Sequence, residues 1–178
     1  VARPAIPPRT KVRGISRSKL MKHLVLGGAR SGKSRFAETI ALQSHQSVTY
    51  VATAQALDKE MNQRILGHQA RRPAHWGLVE EPLALASVLR AHCKDDQVVL
   101  VDCLTLWLTN LMCSDQPERI TLEHKALMEA LPNLPGTLIL VSNEVGQGVM
   151  PENAMARQFI DLAGALHQEL ASRCDQVT

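Results

Sequence analysis

The sequence predicts an α/β fold with a mostly parallel sheet and helices on both faces, and three observations lead there. Short runs rich in Val, Leu, Ile or Thr recur at 22–28, 47–53, 97–103 and 137–143. The Val/Leu/Ile runs are continuous rather than alternating, as expected of strands buried on both faces. Segments with a helical period separate them, and strands interleaved with helices describe a parallel sheet. A glycine-rich turn, "GGARSGKS", lies between the first strand and the first helix.

Taken in order, "KHLVLGG" (22–28) reads as a short buried strand. "SRFAETIALQS" (34–44) has helical spacing at Phe36 and Ile40 and at Ala37 and Ala41. "SVTYVAT" (47–53) is β-branched and strand-like. "DKEMNQRILGHQARR" (58–72) is helical, opens on Asp58 as a cap and stops at Pro73. "PLALASVLRAHC" (82–93) is a helix and "QVVLVDC" (97–103) a buried strand ending in an acid. Residues 119–131 are helical, "TLILVSN" (137–143) is a buried strand, and 153–174 form a long amphipathic helix. The closing "QVT" could open one more strand. No repeat or low-complexity segment is evident.

The 178 residues suit one domain, and 45% of them are hydrophobic, enough for a real core. With only 3% aromatics that core must be aliphatic. No apolar run reaches the roughly 18 residues of a membrane span, so a soluble protein is expected. The formal net charge of +3 is uneven: residues 1–20 carry six Lys/Arg and no acid, leaving 14 basic against 17 acidic residues, or −3, in the rest. A mildly acidic body gives no support for nucleic-acid binding. The first 20 residues read as a disordered or upstream-translated extension, with a targeting peptide as the alternative, and 21–178 as the catalytic domain, with Met21 a natural start. Cys93, Cys103, Cys113 and Cys174 form no CxxC pair and sit beside no histidine at metal-ligand spacing. They read as buried or free thiols of a reducing compartment, hence the cytoplasm.

The turn fits G-x-x-x-x-G-K-[ST] in full, through Gly27, Gly28, Ala29, Arg30, Ser31, Gly32, Lys33 and Ser34. Glycines let the backbone curl so that successive N–H groups point inward, and the following helix adds its positive end. Lys33 supplies a charge for the β- and γ-phosphates, and Ser34 a hydroxyl for Mg²⁺. Asp102, ending the strand "VVLVD", suits the second metal-side carboxylate of P-loop folds. These residues predict a nucleoside triphosphate bound with Mg²⁺, without choosing among ATPases, GTPases, kinases and motors.

In the helix at 58–72, Arg64, His68, Arg71 and Arg72 share one face, and Glu60 can pair with Arg64. Arginine forks bind phosphate oxygens, and a histidine among them could stabilise charge or attack phosphorus itself. A solvated basic face with an incidental histidine is the other reading of the same residues.

"GGARSGKSRFAE", "YVATAQALDKEM", "RILGHQARRPAHW", "VDCLTLWLTNL" and "VSNEVGQGVMPENAMARQFIDLAG" together resemble one family. It is the bifunctional adenosylcobinamide kinase/adenosylcobinamide-phosphate guanylyltransferase family of cobalamin biosynthesis. The resemblance runs from about residue 22 to the end. It implies a RecA-like P-loop sheet and a trimeric assembly. It also implies two reactions: phosphorylation of the aminopropanol hydroxyl of adenosylcobinamide by ATP or GTP, then transfer of GMP from GTP onto that phosphate through a guanylyl-histidine.

The family's histidine matches His68. By the same analogy, Thr53, Ala54 and Gln55, Gln69, Ala70, Arg71 and Arg72, and Glu80 line the nucleotide site. Asn143, Glu144 and Gly146 lie just beyond a strand's carboxyl end, where open α/β sheets bind ligands, near the nucleotide or the corrinoid. Arg157 could reach a phosphate or form a surface ion pair. Two departures stand out: His167 replaces the family's usual Asn, and the family's final strand and glycine turn do not follow Thr178. The alternatives are a P-loop kinase of another small alcohol without guanylyl transfer, or a GTP-binding switch. The chain has no guanine-reading N-K-x-D segment, which weighs against the switch.

Overall fold

Successive residues of a strand point to opposite faces, and in this chain both sets are apolar. The computed structural model describes residues 21–55, 63, 67 and 72–178. Its strands are β1 (Met21–Gly27), β2 (Ser47–Ala52), β3 (Gly77–Glu80), β4 (Gln97–Asp102), β5 (Thr137–Asn143) and β6 (Gln176–Val177). Its helices are α1 (Lys33–Gln43), α2 (Leu85–His92), α3 (Leu104–Met112), α4 (Arg119–Ala130) and α5 (Ala154–Ala171), with a 3-10 turn at Leu131–Asn133.

The six strands make one sheet in the order β3-β2-β4-β5-β1-β6, and every neighbouring pair is parallel. On one face Leu24, Val51, Val99, Val101, Leu138 and Leu140 pack against Leu85 and Leu89 of α2, Trp107 and Leu111 of α3, Leu127 of α4, and Leu166 and Leu170 of α5. On the other, Val25, Val48, Tyr50, Val98, Leu100, Ile139 and Val141 pack against Ala37 and Ala41 of α1 and against Trp76. The core is aliphatic around a few buried aromatics, as the composition requires.

The register determines which residues share the sheet's carboxyl edge. Gly27 is level with Asn143, Ala52 with Asp102 and with Glu80. The strand after β1 in sequence lies on the far side of β4 and β5. That switch in direction opens a crevice at this edge, the usual ligand position of such sheets.

Several expected boundaries shift. The first 20 residues and most of the 58–72 helix lie outside the described residues; Gln63 and Gly67 are helical, but Arg72 is in a bend and not in the helix. The helix expected at 82–93 begins only at Leu85, because Glu81 Oε1 accepts from the N–H groups of Leu83 and Ala84 at 2.8 Å each and holds a turn there. Asn153 is the N-cap of α5 rather than its first residue, its side chain accepting from Ala156 N at 3.0 Å. β3 and α3 answer to no expected element. The closing residues do form a strand, β6, beside β1.

All four cysteines are free, and burial raises the Cys93 and Cys174 thiols to about 11. No helix among the described residues is long and apolar enough to cross a membrane.

Candidate active site

The glycine-rich turn leaves the buried strand β1 and reaches the surface: Gly28, Ala29, Arg30, Ser31 and Gly32 are exposed, Lys33 and Ser34 half-buried. Arg30 (φ 57°) and Gly32 (φ 93°) take left-handed backbone, and the curl is closed by Ser31 N donating to Gly28 O at 3.3 Å. Gly32 is the N-cap of α1 and supplies no side-chain cap, and no acid occupies the first turn. The first N–H groups of an 11-residue helix are thus left to an anion. Lys33 Nζ donates to Gly28 O at 3.3 Å, folding its charge back over the loop. A Cβ on Gly28 would meet nothing within 4 Å, so that space is open above the loop.

Asp102 ends β4, and its Oδ2 accepts from the Tyr50 hydroxyl at 2.8 Å. Arg72 lies over the other side of that tyrosine, its guanidinium carbon 4.1 Å from the ring centroid. Burial first, then the Asp102 charge, pushes the Tyr50 hydroxyl far above its ordinary value, so it remains a donor. The Cys103 thiol feels both Asp102, which raises it, and Lys33, which lowers it; burial, the largest cause, keeps it protonated. One strand, β5, separates the strand that leads into the lysine's loop from the strand that ends in the aspartate.

Ser34 and Asp102 offer a hydroxyl and a carboxylate, the hard oxygens Mg²⁺ prefers. Among the described residues no group of three or more His, Cys, Asp or Glu could hold a metal by itself. A small donor set beside an open phosphate cradle fits Mg²⁺, which binds through one or two protein oxygens, substrate phosphates and water.

The other expected residues among those described lie along the same carboxyl edge or just beyond it. Thr53 is fully buried, and its hydroxyl donates to Cys103 O at 2.8 Å and accepts from Cys103 N at 2.9 Å. Its carbonyl accepts from Asn110 Nδ2 at 2.7 Å. Thr53 ties β2 to β4 at the carboxyl edge. Ala54 is half-buried and Gln55 exposed just after it. Glu80 is exposed at the end of β3, four strands from β1, which is about 19 Å at the usual strand spacing. His68, Gln69, Ala70 and Arg71 lie outside the described residues.

Asn143 Nδ2 donates to Thr105 Oγ1 at 2.9 Å, and Glu144 N donates to Gly27 O at 2.9 Å, so the end of β5 is fastened to the loop. Arg157 donates to the carbonyls of Pro151 and Glu152 and braces its own loop. Sequence reading missed Tyr50, the hydrogen-bond partner of Asp102. The signal was present: it is the chain's one tyrosine, set in a buried strand, and a buried phenol needs a partner. A cavity of about 470 Å³ lies at the amino end of β2, lined by His45, His75 and Trp76 among others, away from this edge.

A phosphate cradle on β1, an aspartate on β4 and one strand between them define a P-loop α/β protein. The chain belongs to the family described as cobinamide kinase/cobinamide phosphate guanyltransferase (CobU), which matches residues 23–178. It is 57% identical over 158 residues to the bifunctional adenosylcobalamin biosynthesis protein CobP of Pseudomonas aeruginosa, covering 89% of this chain and 91% of that protein. It is 40% identical over 170 residues to the bifunctional adenosylcobalamin biosynthesis protein CobU of Escherichia coli, covering 88% and 93%. The corresponding protein of Salmonella typhimurium is 41% identical over the same length.

Proposed function

We propose that the chain phosphorylates the aminopropanol hydroxyl of adenosylcobinamide with ATP or GTP and then transfers GMP from GTP onto that phosphate, releasing pyrophosphate. The observation that carries this reading is the open phosphate cradle at Gly28–Gly32 in a chain of this family. The loop N–H groups and Lys33 hold the β- and γ-phosphates. Ser34 and Asp102 hold Mg²⁺, which when bound neutralises phosphate charge. Arg72, parked on Tyr50, is within reach of the same edge, and Glu80 at its far end suits a ribose hydroxyl or base N–H. Thr53, Ala54, Gln55, Gln69, Ala70 and Arg71 complete the nucleotide site in this reading, and the protein works as a cytoplasmic homotrimer.

In the second reaction His68 attacks the α-phosphorus of GTP. A nitrogen–phosphorus bond forms, the bond from the α-phosphorus to its bridging oxygen breaks, and pyrophosphate leaves. A phosphate oxygen of adenosylcobinamide phosphate then displaces the imidazole and takes the GMP.

The test is GTP labelled at the α-phosphate, with Mg²⁺ present. An acid-labile, base-stable label on the protein is expected, absent in His68→Ala. His68→Ala should lose GMP transfer by at least about 10³-fold while keeping phosphorylation, and Lys33→Ala should cripple both. No label on folded protein leaves a kinase without guanylyl transfer.

A further inference from the structure

The carboxyl end of β5 carries a second group of polar side chains that the two reactions above do not yet use. Ser142 is fully buried, and its Oγ is 2.7 Å from His167 Nε2 on α5. The other ring nitrogen, Nδ1, faces Glu144 Oε1 at 3.9 Å, an electrostatic contact rather than a hydrogen bond. Gln147 Nε2 donates to Glu144 Oε2 at 3.3 Å. The main chain of Glu144 is bonded to Gly27, the first residue of the phosphate loop. Its side chain keeps 31% exposure, against 11% for His167.

These contacts set the carboxylate between Gln147 and His167. Burial lowers the His167 pKa, and the Glu144 charge opposes this more weakly, so the ring is neutral near pH 7. In the tautomer protonated at Nδ1, the ring accepts from the Ser142 hydroxyl and turns its N–H toward Glu144. The other acids at this edge are placed differently. Asp102 accepts from Tyr50 on the metal side, Glu80 is three strands from β5, and Glu38 is buried on α1.

We propose that Glu144 is the base of the phosphoryl-transfer reaction and that His167, anchored on Ser142, is the residue that positions it. The inference rests on the activity proposed above. The alcohol oxygen of the substrate bonds to the γ-phosphorus, and the bond from that phosphorus to the β–γ bridging oxygen breaks. The nucleoside diphosphate leaves and the hydroxyl proton passes to Glu144. The guanylyl reaction makes no such demand. Its acceptor is a phosphate oxygen that is already largely deprotonated at pH 7, so the two reactions separate a base from a nucleotide-holding group.

The experiment uses the full chain and measures the two reactions apart: phosphorylation of adenosylcobinamide, and GMP transfer to preformed adenosylcobinamide phosphate. Glu144→Gln should lower kcat for phosphorylation by about 10²- to 10⁴-fold, with GMP transfer reduced by less than about threefold on the same scale of base contributions. His167→Leu should lower kcat for phosphorylation with KM for ATP unchanged, and His167→Asn, which keeps a donor and an acceptor, should recover most of it. Thermal unfolding of each variant confirms folding, and if His167→Leu does not fold, Glu144→Gln and His167→Asn still decide. Phosphorylation unaffected in Glu144→Gln overturns the proposal. So does a parallel loss of both reactions, which would make Glu144 a nucleotide-holding residue. Wild-type protein lacking both reactions would instead remove the activity on which the inference stands.

Discussion

The Tyr50 hydroxyl donates to Asp102 Oδ2 at 2.8 Å, and this bond joins two strands at the point where β4 delivers its carboxylate. Tyr50 is level with Leu100, and Asp102 lies two residues further along the same face. The pair is thus a diagonal contact, within reach of a long side chain. Because Arg72 covers the same ring, one tyrosine contacts a cation through its face and an anion through its hydroxyl. Tyr50→Phe keeps the stack and removes the bond. The expected cost is about 1.5 kcal/mol in urea unfolding, as for a hydrogen bond to a charged group. The Mg²⁺ concentration that half-supports nucleotide binding should rise about tenfold, the usual effect of losing a metal ligand's orienting partner. An unchanged Mg²⁺ midpoint would mean that the hydroxyl serves only the fold.

Two glycines should respond to alanine in opposite ways. At Gly136, which leads into β5 with φ 75°, a Cβ would come 2.1 Å from Lys94 O and 2.8 Å from Gln97 O, both main chain. Neither oxygen can move without displacing the turn before β4, so Gly136→Ala should cost on the order of 4 kcal/mol and depress every activity through unfolding. At Gly28 a Cβ meets nothing. Gly28→Ala should leave the unfolding midpoint within about 0.5 kcal/mol of the parent, yet weaken binding of a fluorescent GTP analogue at least tenfold, on the order of 1.4 kcal/mol. Equal nucleotide affinity in Gly28→Ala would place the phosphates elsewhere.

Legibility in the sequence followed how local each feature is. The loop from Gly27 to Ser34 was readable because one contiguous pattern between a strand and a helix prescribes its curl. Asp102 was readable as the acid closing an apolar strand. α3 was not. Leu104, Thr105, Trp107, Leu108 and Leu111 are all buried, so "LTLWLTNLM" lacks the polar face that marks a helix period. β3 escaped for the opposite reason: only four residues long and mostly exposed at the sheet's edge, it has no apolar run. The bond from Tyr50 to Asp102 and the contact of His167 with Glu144 depend on strand register and helix placement, which neighbours in sequence do not encode. The two bonds between the Thr53 hydroxyl and Cys103 depend on the same register of β2 against β4.

Acid should weaken the fold through its buried histidines. His23 is only 2% exposed on β1, with Nε2 2.9 Å from Thr178 Oγ1 and its ring edge-on to Phe36. Burial lowers its pKa, as it does for His167. Above about 6.5, the ordinary histidine value, both imidazoles are neutral whether the chain is folded or not, and their contribution is complete. Below it the unfolded chain takes up protons that the folded chain refuses, so stability falls as pH falls. The limiting slope for one refused proton is about 1.4 kcal/mol per pH unit. His23→Gln removes one titrating group and keeps a partner for Thr178. Urea unfolding from pH 7.5 to 5.5 should therefore give a shallower loss in His23→Gln than in the parent, with the plateau above pH 7 moved by no more than about 1.5 kcal/mol, the value of one hydrogen bond. Parallel curves would show that His23 takes up its proton as readily in the folded chain as in the unfolded one.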